Sequence, residues 1–344
     1  MKRILVASCS TIPGYSGGWT TPLDLLEEDF QVQYFVAHSP SGNFVIEGIP
    51  VKSVSSGLRK KSTNSLMRRI RTKLFEYHYK AALGSFYRRN NPDLLIALDV
   101  PTALACISLK IPYVMRFHSD PAVFTEETLE KVVESSLFST TTPSVSVKGA
   151  VEIPHNVNLD RFEYSEAPRA ERAILVSTLN PMRRPMLFIE GVMMSSLKGA
   201  VVGTGPLVGR VRKACESSSG KIEYIDPVTR LELPELLSRF QIGVATYVRV
   251  PEIYQMKVNG YLATGLMTVV MPWTHLALKA PELTTTAETP EELAQRLDWI
   301  RDNWEETLDV RRSARKWVHS NYSIDISRRM FTEMLREHLG NDWI

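Results

Sequence analysis

The segment Pro251–Val270 reads PEIYQMKVNGYLATGLMTVV. From Ile253 to Ala263 the residues Ile253, Met256, Val258, Tyr261 and Leu262 fall at helical spacing, and Gly265 ends that helix. Met267 to Met271 then reads as a buried strand, so a helix runs directly into a sheet. Gly260 sits inside the helix, where glycine costs about 1 kcal/mol relative to alanine. Something is expected to lie against the start of this element.

The same rhythm extends outward in both directions. Strand-like runs at Ile4–Ala7, Gln31–Ala37, Leu94–Ala97, Tyr113–Phe117 and Val151–Ile153 alternate with helical ones. A polar stretch, Tyr164–Glu171, interrupts them, and the pattern resumes with Ala173–Ser177, Gly199–Val202, Ile222–Ile225, Ile242–Ala245 and Thr268–Met271. Alternation of this kind implies parallel strands joined by crossover helices, hence two doubly wound α/β domains. In such sheets ligands bind at the carboxyl ends of the strands, where helix N-termini offer unpaired N–H groups to phosphate. The last forty-odd residues read as helical, with Trp299, Trp304, Trp317, Tyr322, Phe331 and Leu335 as apolar anchors.

Composition agrees with this division. The 344 residues, 44% hydrophobic and 23% charged, suffice for two ordinary cores. Cys9, Cys106 and Cys215 are widely spaced and support neither a disulfide framework nor a zinc site, so no metal is expected and the cytoplasm is the natural compartment. The start, MKRILVASCS, reads as a first strand, because its apolar run is too short for a secretory core. The longest apolar tract, Leu94–Leu109, is broken by Asp99 and Pro101, so no membrane span is expected.

The net charge of +3 is unevenly placed. Arg59, Lys60, Lys61, Arg68, Arg69, Arg71 and Lys73 follow one another with no acidic residue, and Lys80, Arg88 and Arg89 continue the trend. Leu66, Ile70, Leu74 and Tyr77 run through them at three- to four-residue steps, which describes a basic amphipathic helix. Such a helix is either a surface element with a solvated basic face or a contact for a polyanion, anionic lipid or nucleic acid.

Several loops carry residues suited to a charged ligand. Gly14, Gly17 and Gly18 follow the first strand and would let backbone approach a phosphate or sugar, although the spacing is not that of a dinucleotide fingerprint and a plain turn explains it as well. His118 and Asp120 follow another strand, as catalytic residues or as hydrogen-bonded structural ones. Arg183 and Arg184 follow Ala173–Ser177, and Gly203 and Gly205 follow Gly199–Val202. Guanidinium forks suit diphosphate oxygens, while an ordinary basic turn remains the alternative.

Four motifs then fall in a familiar order. IPHNVNLDRF resembles the segment "IPNGVD…F" that closes the first domain of retaining GT-B glycosyltransferases of the glycogen-synthase-like group, which includes bacterial and phage enzymes. ILVSTLNPMRRP is similar to that group's "GRL-x-P-x-KG" turn, VVGTGP to its "GxGP" turn, and EIYQMKVNGYLATGLMTVV to its "E-x7-E-x-M-A-x-G-x-P-V-V" segment. The resemblance covers Val151 to Val270 by motif and the N-terminal half by topology alone.

It implies a GT-B fold of two Rossmann-like domains: an acceptor-side domain over residues 1–165, a nucleotide-sugar domain over 166–320, and a C-terminal helix in 321–344 returning to the first. Arg183 stands where the family has its phosphate-binding lysine, Thr178 where it has the preceding arginine, and Glu252 matches the first glutamate, near the transferred sugar. His118 matches a histidine close to sugar and acceptor. Gly17, Gly18, Arg184, Gly203, Gly205, Lys257, Asn259 and Gly260 complete the expected donor set. Thr178 cannot carry an arginine's charge, and Gly260 occupies the place of the glutamate that holds the donor ribose.

The implied activity is sugar transfer from a nucleotide-diphosphate sugar to an acceptor hydroxyl, with retention and without metal or cofactor beyond that co-substrate. Arg68, Arg69, Arg71 and Lys73 would face the acceptor, a membrane glycolipid or polysaccharide at the inner membrane face, or hydroxymethylated DNA. The altered donor positions keep open a non-catalytic nucleotide-sugar-binding protein and a nucleotide-sugar epimerase of the same fold.

Overall fold

A computed structural model describes residues 1–9, 26, 29–37, 42–46, 49–55, 65–117, 124–142, 146–154, 157–166, 171–250 and 256–343. These form two compact units, the first holding the described residues up to 154 and again from Ser327, the second those of 157–326.

In the first unit, β1 (Arg3–Ser8), β2 (Gln31–Ala37), β3 (Gly42–Ile46), β4 (Ile49–Val54), β5 (Leu94–Ala97), β6 (Val114–Arg116), β7 (Ser139–Thr141) and β8 (Val151–Glu152) make one sheet in the order β3-β4-β2-β1-β5-β6-β7-β8. All neighbours are parallel except the hairpin β3–β4 at the edge. Period-two alternation sends Leu5 and Ala7 to one face and Ile4 and Val6 to the other, and both faces are covered, as a parallel sheet requires. Phe75, Tyr79, Leu83 and Phe86 of the helix Ser65–Asn90 close the first face, with Phe35 5.5 Å from Tyr79 and 5.2 Å from Phe86 between ring centroids. Phe331, Met334 and Leu335 of the helix Ile324–Leu339 bury into the second.

The basic helix therefore differs from its sequence reading. Its buried face is the row Phe75, Tyr79, Leu83 and Phe86, whereas the stripe Leu66, Ile70, Leu74 and Tyr77 lies exposed.

The second unit holds β9 (Arg172–Val176), β10 (Lys198–Val202), β11 (Ile222–Ile225), β12 (Ile242–Ala245), β13 (Met267–Val270) and β14 (Thr285–Thr286) in the all-parallel order β11-β10-β9-β12-β13-β14. This is the doubly wound arrangement, with its reversal of direction between β9 and β12. The opening segment supplies the helix Met256–Thr264 and β13.

Residues 157–165, expected with the first domain, pack on this unit instead. Val157 exchanges backbone hydrogen bonds with Tyr322 and Ile324 (2.7 and 3.0 Å), and Arg315 donates to the carbonyls of Phe162 and Ala263. Glu166, in the expected linker, accepts two 2.7 Å bonds from the Arg312 guanidinium.

Candidate functional site

The second sheet reverses direction where β9 and β12 meet, and their pairing stops early. Only Ile242↔Ala173 and Gly243↔Ile174 are in register. Beyond them the strands part, which would leave the Val176 N–H unpaired inside the protein. Tyr261, from the helix Met256–Thr264, fills the gap: its hydroxyl accepts from Val176 N at 2.9 Å and donates to the Val244 carbonyl at 3.4 Å. The ring lies directly on Gly243, where an added Cβ would come within 2.4 Å of it.

Two loops line the opening thus formed. The chain after β9 continues its ladder to the chain after β10, with Ser177 N bonded to Val202 O (2.9 Å) and Leu179 N to Thr204 O (2.8 Å). Gly203 and Gly205, at φ +135° and +153°, permit that approach: a Cβ on the first would lie 1.9 Å from the Ser177 carbonyl oxygen, and on the second 2.5 Å from that of Leu179. The two glycines are thus required by loop-to-loop contact.

The β9 loop then makes a 3-10 turn, Pro181–Arg183, capped by Asn180, whose side chain accepts from Arg183 N at 2.9 Å. That turn is locked to the chain after β12. Val248 N donates to Met182 O (2.8 Å), the Thr246 hydroxyl donates to Arg183 O, and the Trp273 indole N–H donates to Val248 O (2.8 Å). Arg184 takes a left-handed conformation (φ +45°) and so turns its guanidinium away, toward Met271 Sδ at 4.0 Å and Glu288 O at 3.5 Å. The helix Pro185–Met194 begins at once, with no side chain capping its first N–H groups.

Arg183 points the other way. Its guanidinium carbon lies 4.6 Å from the centroid of Tyr247, just beyond β12, and burial lowers its pKa while Tyr247 opposes that shift. Lys257 joins it from the first turn of the helix Met256–Thr264. Its stem is part exposed, but its Nζ is enclosed and has no hydrogen-bond partner among the described residues. Burial pushes the ammonium well below 10.5, and the Arg183 charge pushes it further. The placement follows from the helix itself: Lys257 is four residues before Tyr261 and shares its face. With Tyr261 anchored at the strand ends, the residue one turn earlier reaches past them.

A part-buried guanidinium and an enclosed ammonium, with no carboxylate of the described residues among the groups that shift either, therefore stand at the switch point of the second sheet. Such a place suits an anion. Thr178 is exposed nearby in sequence, Asn259 is buried in the helix, and Gly260 is turned inward, its Cβ position 3.2 Å from Phe162 Cε1 and 3.6 Å from Leu237 Cδ1. A carboxylate at 260 would enter that apolar packing. Gly14, Gly17, Gly18, His118, Asp120 and Glu252 lie outside the described residues.

In the first unit the equivalent reversal, between β1 and β5, is held by Asp99. Its carboxylate accepts from Ser8 Oγ (2.5 Å), Cys9 N (2.8 Å), Thr102 N (2.9 Å) and Thr102 Oγ1 (2.6 Å), capping the helix Val100–Leu109. The sequence shows Asp99 just ahead of Pro101, the composition of a helix start, and that cue identifies a cap rather than a ligand group.

No protein-family profile matches the chain, and no curated protein matches it. Solved structures do. HepE of Anabaena in complex with UDP-glucose superposes with a TM-score of 0.70 at 13% identity, covering 98% of this chain and 100% of that one. Sucrose-phosphate synthase of Thermosynechococcus elongatus gives 0.74 at 13% identity, with 98% and 99% covered. WaaG, a glycosyltransferase involved in lipopolysaccharide biosynthesis, gives 0.64 at 10% identity, with 96% and 99% covered. With nearly the whole of each chain matched, the fold is that of the GT-B glycosyltransferases.

Proposed function

We propose that this protein transfers a sugar from a nucleotide-diphosphate sugar to an acceptor hydroxyl, with retention of configuration, as a relative of the glycogen-synthase-like enzymes. The observation that carries this reading is the part-buried Arg183 beside the enclosed ammonium of Lys257 at the switch point of the second sheet. As the bond from the sugar C1 to the diphosphate breaks, charge builds on the phosphate oxygen, and fixed cations in a dry site stabilise it without reorganising. The uncapped N-terminus of the helix Pro185–Met194 adds its dipole. In this scheme Lys257 supplies the charge that Thr178 cannot, and neutralisation by side chains takes the part a metal ion plays elsewhere. His118 and Glu252 are assigned to the sugar and acceptor, and Gly17 and Gly18 to the backbone approach.

Support comes from the neighbours, solved with UDP and with UDP-glucose. The acceptor is associated with a polyanionic surface, a membrane glycolipid or polysaccharide in one version and hydroxymethylated DNA in the other. Thr178 and Gly260 favour one rival reading, a nucleotide-sugar-binding protein without turnover. A thermal-shift screen of nucleotide sugars, followed by turnover with and without acceptor, tests the proposal. Product only with acceptor supports transfer, conversion without acceptor means an epimerase, and stabilisation without either product means a binder.

A further inference from the structure

The helix Ser65–Asn90 is strongly basic. Its 26 residues include Glu76 as their single acid. No described side chain from Leu66 to Leu74 is buried, and packing into the core begins only at Phe75. At about 100° per residue, Leu66, Met67, Ile70, Leu74 and Tyr77 fall in an arc of roughly 100°, opposite the buried row Phe75, Tyr79, Leu83 and Phe86. Those five are exposed by 43% (Met67) to 70% (Tyr77). Arg69 and Lys73 flank the arc on one side, Arg71 and His78 on the other.

We propose that this face docks on an anionic phospholipid bilayer, with the helix lying in the headgroup plane. Two features choose lipid over a nucleic-acid backbone. Phosphates along a duplex reward cations but offer nothing to a row of aliphatic side chains, which would stay in water. A bilayer interface takes both: Ile70, Leu74 and Tyr77 enter the acyl boundary, and the flanking arginines and lysine extend to the phosphates. No described helix is long and apolar enough to cross a membrane, so the contact is interfacial.

Flotation with vesicles of phosphatidylcholine, with and without phosphatidylglycerol, tests this without any turnover, so its outcome is separate from that of the sugar-transfer reading. The full chain is expected to float with the anionic vesicles and poorly with neutral ones. The triple variant Ile70→Ser, Leu74→Ser, Tyr77→Ser is expected to lose about tenfold or more in partition, with its melting temperature unchanged because the three side chains are exposed. The variant Arg69→Gln, Arg71→Gln, Lys73→Gln should lose the preference for anionic lipid. The proposal is overturned if the full chain stays with neither vesicle, or if the apolar triple floats like the parent. Steeply salt-dependent duplex DNA binding without vesicle binding would replace it by nucleic-acid contact. A dimer in sedimentation that the apolar triple dissociates would replace it by self-association.

Discussion

Replacing Lys257 by methionine separates a ligand-binding lysine from a structural one. Methionine keeps the length of the stem and removes an ammonium that is enclosed, has no described hydrogen-bond partner and faces the charge of Arg183. Each unit by which its pKa is depressed corresponds to about 1.4 kcal/mol spent on folding a lysine there. Burying a polar group without a partner costs about 1 to 3 kcal/mol in proteins, so the variant without ligand should be more stable by about that much, a rise of a few degrees in Tm. The same change removes a charged hydrogen bond to diphosphate, worth about 1.5 to 3 kcal/mol, and should weaken UDP binding roughly ten- to hundredfold. Melting curves with and without UDP, and calorimetric titration of UDP, measure both. A lower Tm together with an unchanged Kd would refute the reasoning, since it would mean that Lys257 is held by the fold and does not face the anion.

Other outcomes follow from the same geometry. Arg183→Ala should lower kcat/KM with a nucleotide sugar by about a hundredfold or more and leave Tm nearly unchanged; equal rates would remove it from the site. UDP binding should take up a proton between the depressed Lys257 value and 10.5, because the diphosphate favours the charged amine; titration in buffers of different ionisation enthalpy reads the uptake, and affinity should fall as pH rises through that window. In the absence of ligand the sign is reversed: the unfolded chain binds the extra proton there, so stability rises with pH across the same window. Gly260→Glu should destabilise by about 3 kcal/mol or more, since its carboxylate would be pressed among Phe162 and Leu237, while Gly260→Ala should stay within about 1 kcal/mol; a stable glutamate variant with tighter donor binding would show that the position faces the nucleotide.

Much of the fold is legible in the sequence because its central strands are apolar on both faces. Ile4–Ala7, Leu94–Ala97 and Ile242–Ala245 can only be buried in parallel sheets, and the helices between them leave few other topologies. The strands that escape notice are those that break this rule. β7 is Ser139-Thr140-Thr141, buried yet polar, and β14 is two threonines. β3 and β4 form a part-exposed edge hairpin interrupted by Pro50. The basic helix misleads for another reason. It has two apolar rows on opposite sides, and spacing alone cannot say which one meets the sheet; the aromatic row wins because Phe75, Tyr79 and Phe86 fill more volume against Phe35 and its neighbours.

The site was legible in part and for a similar reason. Arg183 and Arg184 are equivalent in sequence, and a single left-handed residue parts them, sending one toward Tyr247 and the other toward Glu288. Gly260 and Lys257 exchange the weight that motif matching gives them. Tyr261 must reach the parted ends of β9 and β12, which draws the helix against the sheet at Gly243. On that helix the next residue back, Gly260, passes under Phe162, where a Cβ would lie 3.2 Å from the ring and a longer side chain would have to displace it, so the packing favours a small residue there despite glycine's cost of about 1 kcal/mol. The residue four back, Lys257, shares the face of Tyr261 and comes out beyond the strand ends beside Arg183. A carboxylate for a ribose is therefore not to be sought at 260; in the proposed reading the charge that this helix brings to the donor is a cation, one turn closer to its N-terminus.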